Sequence, residues 1–422
     1  MLSPESRPPR KTAGLRTQDS GLIWLDSLQA SGIRPGLGRM RAMLRTLRNP
    51  ERAYPSIIVA GTNGKGSTSA TLASILNASG YRTGLYTSPH LVDIRERWMI
   101  GGAVIEPALL EQSVELLRAA SERVGITPTY FEALTLVAFI AFRQAECDVA
   151  VLEVGMGGRL DATNVVRPIA ALITPIGFDH TEYLGTTLRK IASEKAGVIH
   201  RGAIVLTSND DPTVVSVLRS RAQKFGNAFH TVTDGHSTPL RGTFQERNVG
   251  LAVRAAQELR AVLPKITNAA IARGVAETTW RGRLEHTTLA GKEIWIDGCH
   301  NAPAAEAIAP FIAANVAPPR LLVFGIMSDK DVERVAATLF PLFEAVITTE
   351  PYPPRSTAAD RLAELARRMN LEVIAEPDVR HALGRALVST QRSIVVAGSL
   401  YLAGAAIEFL ETQKAESGDQ KD

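Results

Sequence analysis

The chain is poor in cysteine. Two thiols in 422 residues, Cys147 and Cys299, leave no room for a disulfide framework. Each lies in an apolar, strand-like run, so both read as reduced core thiols, the usage of a reducing cytosol. Aromatic residues are sparse, at 5%. No apolar run reaches the roughly 18 to 20 residues that a membrane helix needs. The N-terminal MLSPESRPPRKTAGLRTQDS lacks the apolar core of a secretion signal. Its polar, Arg-containing composition suits a disordered tail or an organelle transit segment, and a tail over residues 1–20 is the expectation. QKAESGDQKD, residues 413–422, reads as a second tail. Charge of one sign is not concentrated either. Lys and Arg number 47 against 43 Asp and Glu, a net charge of +4 with no basic stripe. This balance suits small anionic substrates and not a nucleic-acid partner.

Apolar residues are plentiful, at 45%, and the length suits two domains of ordinary size. Short apolar runs alternate with helical patterns. SIIVA (56–60), DVAVLEVG (148–155), PIAALIT (168–174) and GAIVLT (202–207) read as buried strands. Residues 65–79 and 187–197 read as helices, each followed by or ending in Gly. Continuous apolar strands separated by helices predict a mostly parallel sheet covered on both faces. A mainly helical stretch, 245–279, leads into TTWRGRLEH (278–286), a compact polar segment expected as a hinge. The alternation then restarts, with strands expected at 293–297, 321–326, 345–349, 371–375 and 393–398. These divide the chain into a first domain over 21–284 and a smaller doubly wound domain over 285–412.

VAGTNGKGSTSATLASIL (59–76) carries the physical parts of a phosphate loop. A strand precedes it and a helix N-terminus follows. Glycines let the backbone approach an anion, and Lys65 adds a point charge. It nevertheless fails the pattern G-x-x-x-x-G-K-[ST], with Val59 at the first position and Gly66 after Lys65. Glu153 stands near the carboxyl end of one buried strand, and Asp179 and His180 just beyond another. In an open α/β sheet that edge is where ligands sit, and Mg²⁺ takes hard oxygen donors. The Gly-rich GMGGRLDATN (155–164) reads as a loop lining the same site. Lys195, near a helix C-terminus, reads locally as a dipole-favoured cation.

These stretches together resemble the folylpolyglutamate synthase and dihydrofolate synthase family, within the Mur ligase superfamily. The matching segments are GTNGKGS (61–67), TSPHL (87–91), TYFEALT (129–135), LEVGMGGRLDATN (152–164), FDHTEYLG (178–185), SEKAGVI (193–199) and DGCHN (297–301), in the family's order. The resemblance implies a P-loop-type ATP-binding domain with a mostly parallel sheet, plus a smaller Rossmann-like C-terminal domain. It implies that Asn63, Gly64, Lys65, Gly66 and Ser67 hold the ATP phosphates, with Asn248, Arg283, Asp297 and His300 as further nucleotide contacts. Ser88 and Glu153 would serve one Mg²⁺, and Glu153 and His180 a second, with Lys195 as a carbamylated lysine. Lys65, His180 and Lys195 are thereby the expected catalytic residues. Tyr130, Phe131, Leu160, Asp161 and Ala162 would form the pterin side. One departure is present: the family commonly places Pro directly after D-G-x-H-N, and here Ala302 intervenes before Pro303.

The implied reaction adds L-glutamate to dihydropteroate, to a folate γ-carboxylate, or to both, through an acyl phosphate, releasing ADP and phosphate. TYFEALT resembles the bifunctional bacterial form. ATP is the expected co-substrate, Mg²⁺ the expected metal, and a cytoplasmic monomer the expected state, with no nucleic acid and no membrane among its partners. Two alternatives compete with this reading. A cell-wall Mur ligase would need a UDP-binding domain ahead of the phosphate loop, where only about 60 residues precede Gly61. A non-catalytic ATP-binding regulator would show damage among Glu153, His180, Lys195 or Asp297, and all four are present.

Overall fold

The computed structural model describes residues 20–32 and 34–417. The expected N-terminal tail lies outside the described residues apart from Ser20. The C-terminal helix Leu400–Ser417 continues through residues 413–417, where a tail was expected, and residues 418–422 lie outside the description. No helix among the described residues is long and apolar enough to cross a membrane.

Two sheets organise the chain. The first contains β1 (Ser56–Ala60), β2 (Thr83–Tyr86), β3 (Trp98–Ile100), β4 (Ala103–Val104), β5 (Val149–Glu153), β6 (Ala170–Ile173), β7 (Ile204–Thr207) and β8 (Phe229–Thr231). Their order is β4-β3-β2-β5-β1-β6-β7-β8. From β2 to β8 every neighbour is parallel, and β3 and β4 add an antiparallel edge. β1 and β5 are buried along their whole length, as continuous apolar runs between two helix layers should be. On one face packs the helix Tyr130–Gln144, buried nearly all round, with Phe139, Phe142, Trp98 and Tyr86 at its core. On the other lie the helices Lys65–Ala78 and Thr243–Glu258.

The second sheet contains β9 (Glu285–Leu289), β10 (Lys292–Ile296), β11 (Arg320–Phe324), β12 (Ala345–Thr348), β13 (Glu372–Ala375) and β14 (Ser393–Ala397). Its order is β13-β12-β11-β14-β10-β9, parallel except for β9. Glu285 and His286 therefore belong to a strand paired with β10, not to a hinge as expected. Polar and half-buried, EHTTL is an edge strand without the apolar signature of the others. β2 was also not anticipated. Its sequence TGLY is short and contains Gly84, whose missing side chain makes room for the Phe142 ring.

Candidate active site

A cleft of about 640 Å³ opens where the carboxyl ends of the first sheet face the second domain. β1 lies between β5 and β6, so the segments leaving these three strands converge there. The lining includes Asn63, Gly64, Lys65, Gly66 and Ser67 after β1, Ser88 after β2, Glu153 at the end of β5, and His180 after β6. Lys195, Asn248, Arg283, Asp297 and His300 also line it. All thirteen expected nucleotide, metal and catalytic residues are thus brought to one cleft.

The turn after β1 is tightly determined. Gly64 caps the helix Lys65–Ala78 with φ 84°, and a Cβ there would lie 2.2 Å from Asn248 Oδ1. A side chain is excluded by backbone conformation and by space together. The N–H groups of Thr62 and Asn63 donate to the Pro175 carbonyl, at 2.9 and 3.4 Å. Lys65 Nζ folds back and donates to the Thr62 carbonyl at 3.0 Å. We expect Gly64→Ala to weaken binding of a non-hydrolysable ATP analogue at least about tenfold, some 1.4 kcal/mol. Calorimetric titration measures this, and wild-type affinity in that variant would show that the loop is not the phosphate site.

Glu153 is buried, and the Ser88 backbone N–H donates to one of its oxygens at 3.1 Å. Burial raises its pKa, and Lys65 and the Ser88 bond act against that rise. Lys195 is also buried, and its Nζ donates to the Gly61 carbonyl at 2.6 Å. Burial, reinforced by the charge of Lys65, lowers its pKa to about 7. At neutral pH a large fraction of this amine is therefore unprotonated. His180 adopts a left-handed conformation, φ 50°, that turns the chain from β6 into the short helix Thr181–Leu184. Burial lowers its pKa.

The second domain contributes opposite these groups. Asp297 is buried, and its two oxygens accept the N–H groups of Leu284 and Cys299 at 2.9 and 2.8 Å. It therefore pins the crossing between the two sheets. Burial raises its pKa, and the nearby Arg283 guanidinium opposes this. His300 Nδ1 must carry a proton, because it donates to the Gly298 carbonyl at 2.9 Å. Burial lowers its pKa to about 4, so at neutral pH its Nε2, 3.8 Å from Asp179, carries no proton. Asn301 caps the helix Ala302–Asn315. Ala302 and Pro303 take the first two helical positions, which need no intrahelical donor, so the inserted Ala leaves the helix start intact.

Sequence reasoning missed a cross-domain latch. Asn63 and Asn301 exchange amide hydrogen bonds at 2.9 and 3.1 Å. Asn301 also donates to Asp179 at 2.9 Å, and Lys330 Nζ forms an ion pair with Asp179 at 2.6 Å. Burial tends to raise the Asp179 pKa, but Lys330, His180 and His300 together hold it well below the ordinary carboxylate range. Lys330 had a readable signal: it stands in FGIMSDKD, just past the buried strand β11.

The expected pterin-side residues are placed differently. None of Tyr130, Phe131, Leu160, Asp161 and Ala162 is among the cleft's lining residues. Phe131 packs against Gly155, immediately behind the cleft, and Tyr130 packs on the core of the first domain. Asp161 is buried and accepts the N–H groups of Met156 and Thr163, each at 3.0 Å, so it shapes the turn.

Comparison with known proteins agrees with this architecture. Residues 59–253 match the Mur ligase middle domain, and residues 282–400 match the Mur ligase, glutamate ligase domain. The chain is 30% identical to the dihydrofolate synthase/folylpolyglutamate synthase of Bacillus subtilis, over 90% of this chain and 95% of that protein. It is 32% identical to the protein of the same name from Escherichia coli, over 94% and 96%. Among solved structures, E. coli FolC in complex with DHPP and ADP superposes with a TM-score of 0.84, at 30% identity, covering 93% of this chain and 98% of that one. Mycobacterium tuberculosis folylpolyglutamate synthase complexed with ADP and AMPPCP gives a TM-score of 0.82 at 32% identity, covering 92% and 98%. Two sheets with these strand orders, a phosphate loop of the form GTNGKGS and relatives spanning nearly the whole chain lead to one conclusion: the chain belongs to the dihydrofolate synthase/folylpolyglutamate synthase group of the Mur ligase family.

Proposed function

We propose that the protein is an ATP-dependent, ADP-forming ligase that joins the amine of L-glutamate to the carboxylate of dihydropteroate and to the γ-carboxylate of reduced folates. The observation that carries this reading is the cleft itself. A phosphate loop, a buried carboxylate, an imidazole and a buried lysine face a second domain across one cavity.

A carboxylate does not condense with an amine in neutral water. One carboxylate oxygen attacks the γ-phosphorus of ATP and ADP leaves, giving an acyl phosphate. The glutamate amine then attacks the acyl carbon, loses a proton, and phosphate departs with that same oxygen. The loop N–H groups and the N-terminus of the helix Lys65–Ala78 receive the phosphates, and Lys65 leaves the Thr62 carbonyl to neutralise them. Unprotonated Nε2 of His300 can accept a hydrogen bond at the second-domain side of the cleft. Closure of the second domain over the cleft keeps water from the acyl phosphate.

The donor set fits Mg²⁺. Among the described residues Glu153 accepts one hydrogen bond, from the Ser88 N–H, and Lys65 is the leading positive charge acting on its buried carboxylate. Ser88, Glu153 and His180 would hold the two ions, with Lys195 as its carbamate. When bound, Mg²⁺ supplies positive charge against the repulsion between the γ-phosphate and the acceptor carboxylate. A lysine with a pKa near 7 offers the neutral amine that uptake of carbon dioxide requires. The acceptor's pterin side enters beside Phe131, with Tyr130, Leu160, Asp161 and Ala162 forming the wall behind. One chain builds both halves of the cleft, which suits a monomer.

Incubation with ATP, Mg²⁺ and glutamate, separately with dihydropteroate and with tetrahydrofolate, tests the reading. Mass spectrometry is expected to find each acceptor heavier by one glutamyl residue. Absence of glutamylated product with both acceptors would overturn it.

A further inference from the structure

A second cavity, of about 360 Å³, lies elsewhere in the first domain. Glu51 and Arg52 in its wall precede β1, Arg167 precedes β6, and His200 precedes β7. The active-site cleft lies beyond the opposite ends of these strands. The two cavities therefore sit on opposite edges of the sheet and share no lining residue.

Four arginines line this cavity. Arg41 and Arg45 stand one turn apart on the helix Gly38–Thr46, and Arg52 and Arg167 line the same cavity. Arg52 pairs with Glu51 at 3.3 Å. Among the described residues the other three have no carboxylate partner. Some arginines elsewhere are neutralised by carboxylates, as Arg95 is by Asp93 and Arg159 by Glu194. Burial lowers the pKa of His200, and the nearby charges of Arg221, Arg167 and Arg41 add to that effect. Glu51, the one carboxylate lining the cavity, pairs with Arg52 and leaves the other three arginines unmatched. It is buried, one of its oxygens has no partner, and burial raises its pKa.

We propose that this cavity is a binding site for a compact polyanion carrying at least two carboxylate or phosphate groups, held by Arg41, Arg45 and Arg167. Planar guanidinium forks match both oxyanions bidentately, and separate arginines call for separate anionic groups. The volume lies within the roughly 300–1,000 Å³ range of small-ligand sites. Leu44, Val165 and Val166 line one wall and accommodate an uncharged stem. His200 closes the floor, its Nε2 bonded to Asn164 at 2.8 Å.

The test is calorimetric titration with the active-site cleft saturated by a non-hydrolysable ATP analogue. Inorganic pyrophosphate is the phosphate probe and tri-γ-glutamate the carboxylate probe. The proposal expects saturable one-site binding of at least one probe, weakened by added salt. Whichever binds identifies the oxyanion. Arg45→Glu and the double variant Arg41→Glu/Arg167→Glu alter only exposed side chains. Each should weaken that binding at least about tenfold while leaving affinity for the ATP analogue unchanged. If the double variant loses the ATP analogue as well, Arg45→Glu alone decides. No saturable binding of either probe, or binding unchanged in the variants, would overturn the proposal.

Discussion

Lys195→Ala loses glutamate ligation by on the order of 10³-fold, about 4 kcal/mol of barrier, while still binding an ATP analogue within a few-fold of wild type. The expectation rests on where the amine sits. It is buried beside the phosphate loop, bonded to the Gly61 carbonyl, with burial lowering its pKa to about 7. As a carbamate it would present anionic oxygens to the cleft, formed when the neutral nitrogen adds to carbon dioxide and releases a proton. A short carboxylate such as acetate should partly restore activity to the variant, because it returns an oxygen donor to the vacated space. Loss of the Gly61 contact alone would not respond to acetate. Full activity without rescue would contradict the metal-ligand role. Stability provides an independent readout. Free lysine titrates near 10.5 and Lys195 near 7, so between these values the unfolded chain binds more protons. Wild-type stability should rise with pH across that window, from a full burial penalty below pH 7 to none above 10.5. Urea unfolding at pH 7 and pH 9 should show this rise in the wild type and a smaller one in Lys195→Ala.

Lys330→Met should separate the two domains. The Asp179–Lys330 pair is 2.6 Å long, and each side chain is only 8% exposed. Removing one partner of such a pair costs about 3–5 kcal/mol, because the other is left buried and charged. The protein can avoid that cost by opening the cleft and wetting Asp179. Small-angle scattering should therefore report a larger radius of gyration for Lys330→Met, and ligation should fall with it. Asp179→Asn combined with Lys330→Met removes both charges and should recover part of the loss, a coupling that a double-mutant cycle measures. Unchanged scattering and unchanged activity in Lys330→Met would show that the latch contributes nothing to domain position. The pair should also resist acid. Neighbouring cations hold the Asp179 pKa below the ordinary carboxylate range. Its contribution is fully present above about 3.8, the usual aspartate value, and is lost only as pH falls through the depressed value.

The parallel strands were legible because burial on both faces leaves a continuous apolar run. SIIVA became β1 over the expected residues, and SIVVAG became β14. The site was legible for a related reason: strand ends are where a doubly wound sheet binds ligands, and Glu153 and His180 follow such ends. What was not legible lies mostly at edges and across domains. β3 and β4 are only three and two residues long, and β9 is a polar edge strand paired with β10 alone, so their sequences carry little apolar periodicity. The Asn63–Asn301–Asp179–Lys330 latch joins residues far apart in the chain, and no local spacing encodes that. Arg167 lies far along the chain from Arg41 and Arg45, so no local spacing joins them. Only the fold brings Arg167 to Arg41 and Arg45.

The central claim is that this cleft activates a carboxylate as an acyl phosphate. Dihydropteroate with ¹⁸O in both carboxylate oxygens, turned over with ATP and unlabelled glutamate, tests it directly. One labelled oxygen should appear in the inorganic phosphate for each amide bond formed, with the other retained in the product. Amide formation that leaves the released phosphate free of ¹⁸O would contradict the account.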